Sequence, residues 1–205
     1  MIDKKLIKSS LKKIYAIEKR FELIEDKAGL PEFLPREQGY KAFQKTIVGQ
    51  QLSIASASAI WNRFLESGFT EGYKLSSAKD TELRAIGLSR QKIRYLKSLA
   101  DSDIKYDDLD EFSNEKIIHL LTSIKGIGKW TAEIYLIFSL KREDVFPAGD
   151  LALQEATRLL LQLNTRPTEK EMRNLSESWK PFRSICALLL WNFYKHYKSR
   201  ESTLW

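Results

Sequence analysis

The stretch LTSIKGIGKWTAEIYLIFSLKREDVFPAGDLALQEA, residues 121–156, decides the fold. An apolar helix end, Leu121-x-x-Ile124, runs into Gly126-Ile127-Gly128, and a new apolar segment, Lys129 to Leu140, leaves it. Two glycines one residue apart permit a tight reversal or a close backbone approach that a Cβ would block. The second helix starts with unpaired amides and the positive end of its dipole, which together favour an anion. Lys125 and Lys129 flank the turn, so phosphate contacts from backbone N–H and ammonium groups are available there. The same spacing also describes an ordinary helix corner with two solvated lysines. Twenty residues on, Phe146-Pro147-Ala148-Gly149 forms a turn that delivers Asp150 to the start of another helix.

Length and charge narrow the classes. At 205 residues the chain suits one domain, or two subdomains with a shared cleft. Lys and Arg number 34 against 27 Asp and Glu, a net charge of +7, which suits a polyanionic partner without proving one. The longest apolar run, Ile185 to Trp191, is too short to span a bilayer, so no membrane partner is expected. MIDKKLIKSS at the N-terminus has charge but no apolar signal core, which argues against secretion. Cys186 is the single cysteine, so neither an internal disulfide nor a four-cysteine iron–sulfur cluster can form. With only His119 and His196 beside it, no metal-ligand motif is present and no catalytic metal is expected.

Along the chain the apolar spacing is helical almost everywhere, which predicts an all-α fold. Leu6, Ile7, Leu11, Ile14, Phe21 and Ile24 form one stripe on a first helix that Gly29 can close. Further helices are expected from about Glu37 to Val48, Ser53 to Glu66, Ser77 to Ile86, Ser89 to Ala100 and Ser113 to Ile124. After Asp150 come a helix to Leu163, one opened by the Thr168-x-x-Glu171 capping box, and an apolar helix from Pro181 to Tyr197. Residues 198–205 read as a tail. Leu83-x-x-Ile86-Gly87 faintly echoes the main hairpin, and Ser89 and Lys92 after it suit either a second phosphate clamp or a solvated helix start.

The hairpin and the Val145-Phe146-Pro147-Ala148-Gly149-Asp150 run together resemble the helix-hairpin-helix DNA glycosylases with a Gly/Pro-rich loop and a catalytic aspartate. Within that superfamily the chain looks most like the 3-methyladenine DNA glycosylase II branch of alkylation repair. The likeness extends to Ile47-Val48-Gly49-Gln50-Gln51-Leu52-Ser53, to Gly87-Leu88-Ser89 with Lys92, and to Trp179-Lys180-Pro181-Phe182-Arg183-Ser184. It implies two helical subdomains flanking a DNA-binding cleft, residues 37–146 in one and residues 1–36 with 147–205 in the other. It also implies a monofunctional enzyme that flips alkylated purines, 3-methyladenine and 7-methylguanine, from damaged double-stranded DNA and hydrolyses their N-glycosidic bonds.

The resemblance implies a role for each candidate residue. Cleavage leaves an oxocarbenium-like sugar that a nearby carboxylate stabilises while it orients the attacking water. Asp150 matches the family's aspartate; taken alone it also reads as a helix N-cap. Asp144 reads as a solvated turn residue. Relatives that nick the strand carry a nucleophilic lysine at the position of Trp130, so tryptophan there implies water as nucleophile and no lyase step. Trp191 aligns with a residue stacking on the flipped base, although a buried core tryptophan fits the same helix. Ile134 and Leu151 replace pocket aromatics. Gln51 aligns with the wedge that fills the vacated stack; as a loop amide it also suits a cap for the helix after Ser53. Gly126, Gly128, Lys125, Lys129, Thr131, Ser89 and Lys92 would meet the DNA backbone. No cofactor is implied beyond a structural Na⁺ or K⁺ at the hairpin backbone. A monomer is expected, in the cytoplasm near the nucleoid of a prokaryote or in a eukaryotic nucleus. Two other readings stay open: a glycosylase for deaminated or oxidised bases, and a helix-hairpin-helix DNA-binding module without activity.

Overall fold

The computed structural model describes the backbone of residues 2–202 and the side chains of residues 2–199. Among these residues there are helices and loops and no strand. The chain divides into two compact units, one made of Met1–Pro35 with Glu133–Trp205 and the other of Arg36–Ala132.

The first unit begins with α1, Lys4–Ile17, N-capped by Asp3, whose carboxylate accepts from the Leu6 amide at 2.6 Å. The apolar stripe predicts a single helix to Gly29. Instead Glu18 is extended, a 3₁₀ turn follows at Lys19–Phe21, and α2 covers Glu22–Ala28. The stripe survives because Ile7, Ile14, Phe21 and Ile24 are all buried whichever helix carries them. Gly29 closes α2 with a φ of 69°, as its position implies.

In the second unit the chain forms α3, Tyr40–Gly49, α4, Ile54–Glu66, α5, Gly72–Ser77, and α6, Asp80–Ala85. The helix expected over Ser77–Ile86 starts only at Asp80, and α5 precedes it where no helix is expected. Ala78 is extended, and the Lys79 amide donates to Glu82 at 2.8 Å to open α6. Next come α7, Arg90–Ala100, a 3₁₀ segment at Tyr106–Glu111, and α8, Asn114–Thr122. α7 packs on α3, α5 and α6, burying Ile93, Leu96 and Leu99. Ser53, Ser89 and Ser113 each N-cap the helix that follows, through a hydroxyl accepting a backbone N–H.

After the glycine hairpin, α9 covers Lys129–Phe138, and the division between the units falls inside it. The first unit resumes at Glu133 and continues with α10, Leu151–Leu161, α11, Glu169–Glu177, and α12, Arg183–Ser202. The capping box at Thr168 and Glu171 forms as the sequence indicates. α12 packs on α10 and α2, with Ile185, Ala187, Leu189 and Leu190 fully buried. Its Asn192 donates to the carbonyls of Ala28 at 3.1 Å and Gly29 at 2.9 Å, satisfying the open end of α2. The helix continues to Ser202, so a tail does not begin at residue 198; residues 203–205 lie outside those described. No helix among the described residues is long and apolar enough to cross a membrane.

Candidate active site

Within the first unit the turn Phe146–Asp150 is tied down from every side. The Ala148 amide donates to Phe146 at 2.9 Å, and the Asp150 amide donates to Pro147 at 2.9 Å. Gln154, one turn into α10, donates its side-chain amide to the Ala148 carbonyl at 2.9 Å. The start of α12 explains the Trp179-to-Ser184 motif. The buried Ser184 hydroxyl accepts from the Val145 amide at 2.9 Å and donates to the Arg142 carbonyl at 2.7 Å. Arg183 pairs with Asp144 through Nε at 2.7 Å and Nη2 at 2.9 Å. Asp144 is therefore an ion-paired anchor and not a solvated turn residue; its partner lies 39 positions away, beyond the reach of local sequence.

Asp150 emerges from this turn half-buried. Its Oδ1 accepts the amides of Ala152 at 2.9 Å and Leu153 at 3.0 Å, which makes it the N-cap of α10. The indole Nε1 of Trp191 donates to the same oxygen at 3.3 Å. The cap and the candidate catalyst are thus one residue, and three N–H groups fix the direction of its carboxylate. Trp191 is itself half-buried and packs on Phe138, ring centroids 5.6 Å apart, and Phe138 stacks nearly parallel on Phe33 at 5.8 Å. Phe33 and Phe138 are not among the residues that sequence reasoning selects. Phe138 follows the candidate pocket residue Ile134 by one helical turn, which is the available signal. Ile134 is buried and Leu151 is 61% exposed.

A second ion-pair chain borders the turn. Arg173 of α11 bridges the buried Glu133 of α9 at 2.9 Å and Glu169 at 2.7 Å. A Cβ added to Gly149 would meet Glu169 Oε2 at 3.2 Å, so the glycine next to Asp150 leaves room for this carboxylate.

The second unit holds the hairpin. Gly126 has a φ of 89°, and a Cβ there would sit 2.2 Å from the Tyr95 ring, so both backbone and packing demand glycine. Gly128 differs: its φ lies outside the left-handed region, and no heavy atom among the described residues lies within 4 Å of its would-be Cβ. Lys125, Lys129 and Trp130 are exposed and Thr131 is half-buried, so the hairpin presents ammonium groups and an indole outward. Gln51 is exposed with a φ of 55°. It does not supply the cap of α4, which comes from the Ser53 hydroxyl accepting the Ser56 amide at 3.2 Å. Beside it, Gln50 donates its side-chain amide to the Gly126 carbonyl at 3.0 Å, a link between loop and hairpin that the sequence does not signal. Ser89 caps α7, and the Lys92 ammonium donates to the Val48 carbonyl at 2.7 Å.

A helix-hairpin-helix and a turn-borne, indole-bonded aspartate accompany membership of a base-excision class of DNA repair protein. The HhH-GPD superfamily base excision DNA repair protein profile matches residues 45–181, and the chain belongs to that superfamily. It is 36% identical over 171 residues to DNA-3-methyladenine glycosylase 1 of Schizosaccharomyces pombe, covering 79% of this chain and 75% of that protein. The structure is similar to that of DNA-3-methyladenine glycosidase from Bacillus halodurans, with a TM-score of 0.82 at 29% identity over 93% of this chain and 91% of the other. It is also similar to 3-methyladenine DNA glycosylase of Schizosaccharomyces pombe in complex with abasic DNA, with a TM-score of 0.67 at 35% identity over 85% and 89% of the two chains.

Proposed function

We propose that this protein is a monofunctional DNA glycosylase, of the 3-methyladenine glycosylase II kind, acting as a monomer on damaged duplex DNA. It extrudes alkylated purines, 3-methyladenine and 7-methylguanine, and hydrolyses their N-glycosidic bonds as the first step of base excision repair. The observation that carries this reading is the half-buried Asp150 carboxylate, held in one orientation by two helix amides and the Trp191 indole. Extruding a base costs a few kcal/mol, least where pairing is already damaged. Gln51 fills the vacated stack, and the amides behind Gly126 and Gly128, with Lys125 and Lys129, hold the backbone phosphates. An alkylated purine already carries positive charge and leaves without an added proton. Asp150 then faces the developing oxocarbenium ion and directs a water at C1′. Trp130 offers no amine, so no covalent sugar–enzyme adduct forms and the strand stays intact. No cofactor takes part in this scheme; a Na⁺ or K⁺ at the hairpin backbone would be structural.

Incubation with methylated genomic DNA, followed by mass spectrometry of the freed bases, tests the proposal. 3-Methyladenine and 7-methylguanine should appear without strand breaks before alkali. Asp150→Asn keeps a side chain that caps α10, so it should retain fold and DNA affinity while base release disappears. Undiminished release by that variant would mean a different catalyst, whereas no release by the wild type would leave a DNA-binding module without activity. Freed deaminated or oxidised bases in place of methylated ones would reassign the substrate.

A further inference from the structure

Lys92 stands three residues beyond Ser89 of the Gly87-Leu88-Ser89 turn, where a cation after a helix start suggests a phosphate contact. Its ammonium instead donates to the carbonyl of Val48 at 2.7 Å. Val48 lies in the last turn of α3, among carbonyls that have no partner within their own helix, and a cation there also suits the negative end of the helix dipole. Burial lowers the Lys92 pKa, in keeping with an ammonium that is turned inward.

Directly after Val48 the chain enters the loop that carries Gln51. Gln50 has φ −53° and ψ 132°, Gln51 has φ 55°, and the Leu52 amide donates to the Gly49 carbonyl at 3.3 Å. These are the features of a type II turn, whose third position ordinarily takes glycine or asparagine. A glutamine there carries backbone strain, and its side chain remains exposed.

Helix α7 reaches the glycine hairpin along the same row of side chains. Tyr95, one turn after Lys92, lies against Gly126, and Ser98, a further turn on, accepts the Lys125 amide at 3.1 Å. Gln50 then closes the circuit from the loop to the Gly126 carbonyl at 3.0 Å. One face of α7 thus holds both the end of α3 and the hairpin.

We propose that Lys92 is a positioning residue that fixes the Gln51 loop relative to the glycine hairpin, and that it makes no contact with DNA phosphate. The inference rests on the glycosylase reading, in which the hairpin grips the backbone and Gln51 enters the stack. Its consequence is mechanical: with Lys92 gone the hairpin still grips, but the wedge loses its set distance from the grip and extrusion fails.

The test compares Lys92→Met, Lys92→Arg and Lys129→Met in three measurements. These are the salt dependence of binding to undamaged duplex, the fluorescence of 2-aminopurine placed beside an alkylated base, and single-turnover base release. Lys92→Met should keep the wild-type salt slope, whereas Lys129→Met should flatten it by about one phosphate's worth. Lys92→Met should also lose most of the 2-aminopurine signal and at least tenfold in release, and Lys92→Arg, which keeps a donor, should recover to within about threefold. Should Lys92→Met not fold by circular dichroism, Gln50→Met, which removes the other tie, is expected to give the same pattern. A slope lowered by about one in Lys92→Met, or wild-type flipping and release in Lys92→Met or Gln50→Met, overturns the proposal. A wild-type protein that releases no base overturns the glycosylase reading instead, and the salt slope of Lys92→Met still decides whether that ammonium meets phosphate.

Discussion

The indole of Trp191 donates to Oδ1 of Asp150 at 3.3 Å across 41 residues of sequence, and the same ring packs on Phe138. The tryptophan that packs on Phe138 is thereby also part of the carboxylate's support. Trp191→Phe keeps an aromatic ring over Phe138 and removes only the N–H. A hydrogen bond to a charged group contributes about 1.5–3 kcal/mol when well formed, and this one is long. Single-turnover release should therefore fall roughly five- to tenfold with little change in DNA affinity. An equal loss in both would mean that the ring acts mainly by binding.

The two hairpin glycines should separate stability from binding. Gly126→Ala places a Cβ against the Tyr95 ring in a left-handed backbone, and should destabilise the fold by about 2–4 kcal/mol in urea titrations. Gly128→Ala meets no neighbour, and should leave stability unchanged or raise it by about 0.5 kcal/mol. If a phosphate approaches that backbone, the same variant should weaken DNA binding at least tenfold. Unaltered affinity in Gly128→Ala would show that nothing comes close there.

Arg173 holds a buried carboxylate. Glu133 is 3% exposed at its side chain, and Arg173→Met takes the guanidinium away from it. Breaking one side of such a pair costs about 2–3 kcal/mol here, allowing for the part-exposed arginine. Glu133→Leu with Arg173→Met should restore most of the loss, since two apolar side chains leave no charge to bury. If the double variant is as unstable as the single one, the pair matters through shape and not through charge.

Acid should loosen the N-terminal segment of the first unit through Glu18. Hydrogen bonds from Arg20 hold its carboxyl below the ordinary carboxylate range, and Arg20 also donates to the Leu161 carbonyl at 3.2 Å. A lowered folded-state pKa means that the unfolded chain binds the proton first as pH drops. The stabilisation is thus complete above the unfolded value, about 4.3, and is lost as pH falls through the folded value beneath it. The difference in urea midpoint between wild type and Glu18→Gln should be present at pH 7 and shrink as pH falls below about 4.3. A difference that is constant over that range would remove the ion pair from the account.

Local chemistry is legible in the sequence and distant pairing is not. Ser53, Ser89, Ser113 and Thr168 announce helix starts because a cap is completed within three residues. Asp150 carries both of its proposed meanings for the same reason: the cap is local, and the motif around it is contiguous. The break at Glu18 leaves no mark, since apolar spacing continues across it, and α5 ahead of Ala78 goes unread. Lys92, Asp144 and Gln50 can be read only from their neighbours in sequence, whereas their partners Val48, Arg183 and Gly126 lie 44, 39 and 76 positions away. Nothing in a window of ten residues distinguishes an ammonium that faces solvent from one that faces a carbonyl on another helix.

The unit that contains Asp150 is assembled from Met1–Pro35 and Glu133–Trp205, with Arg36–Ala132 inserted between them. During synthesis the inserted part leaves the ribosome whole, while the first 35 residues wait for partners not yet translated. At about 5–20 residues per second, the remaining segment takes roughly 4–15 s to appear. The glycine hairpin is therefore available to fold before Asp150 has a scaffold. A nascent chain stalled in that interval would carry the hairpin turn without the turn that bears Asp150.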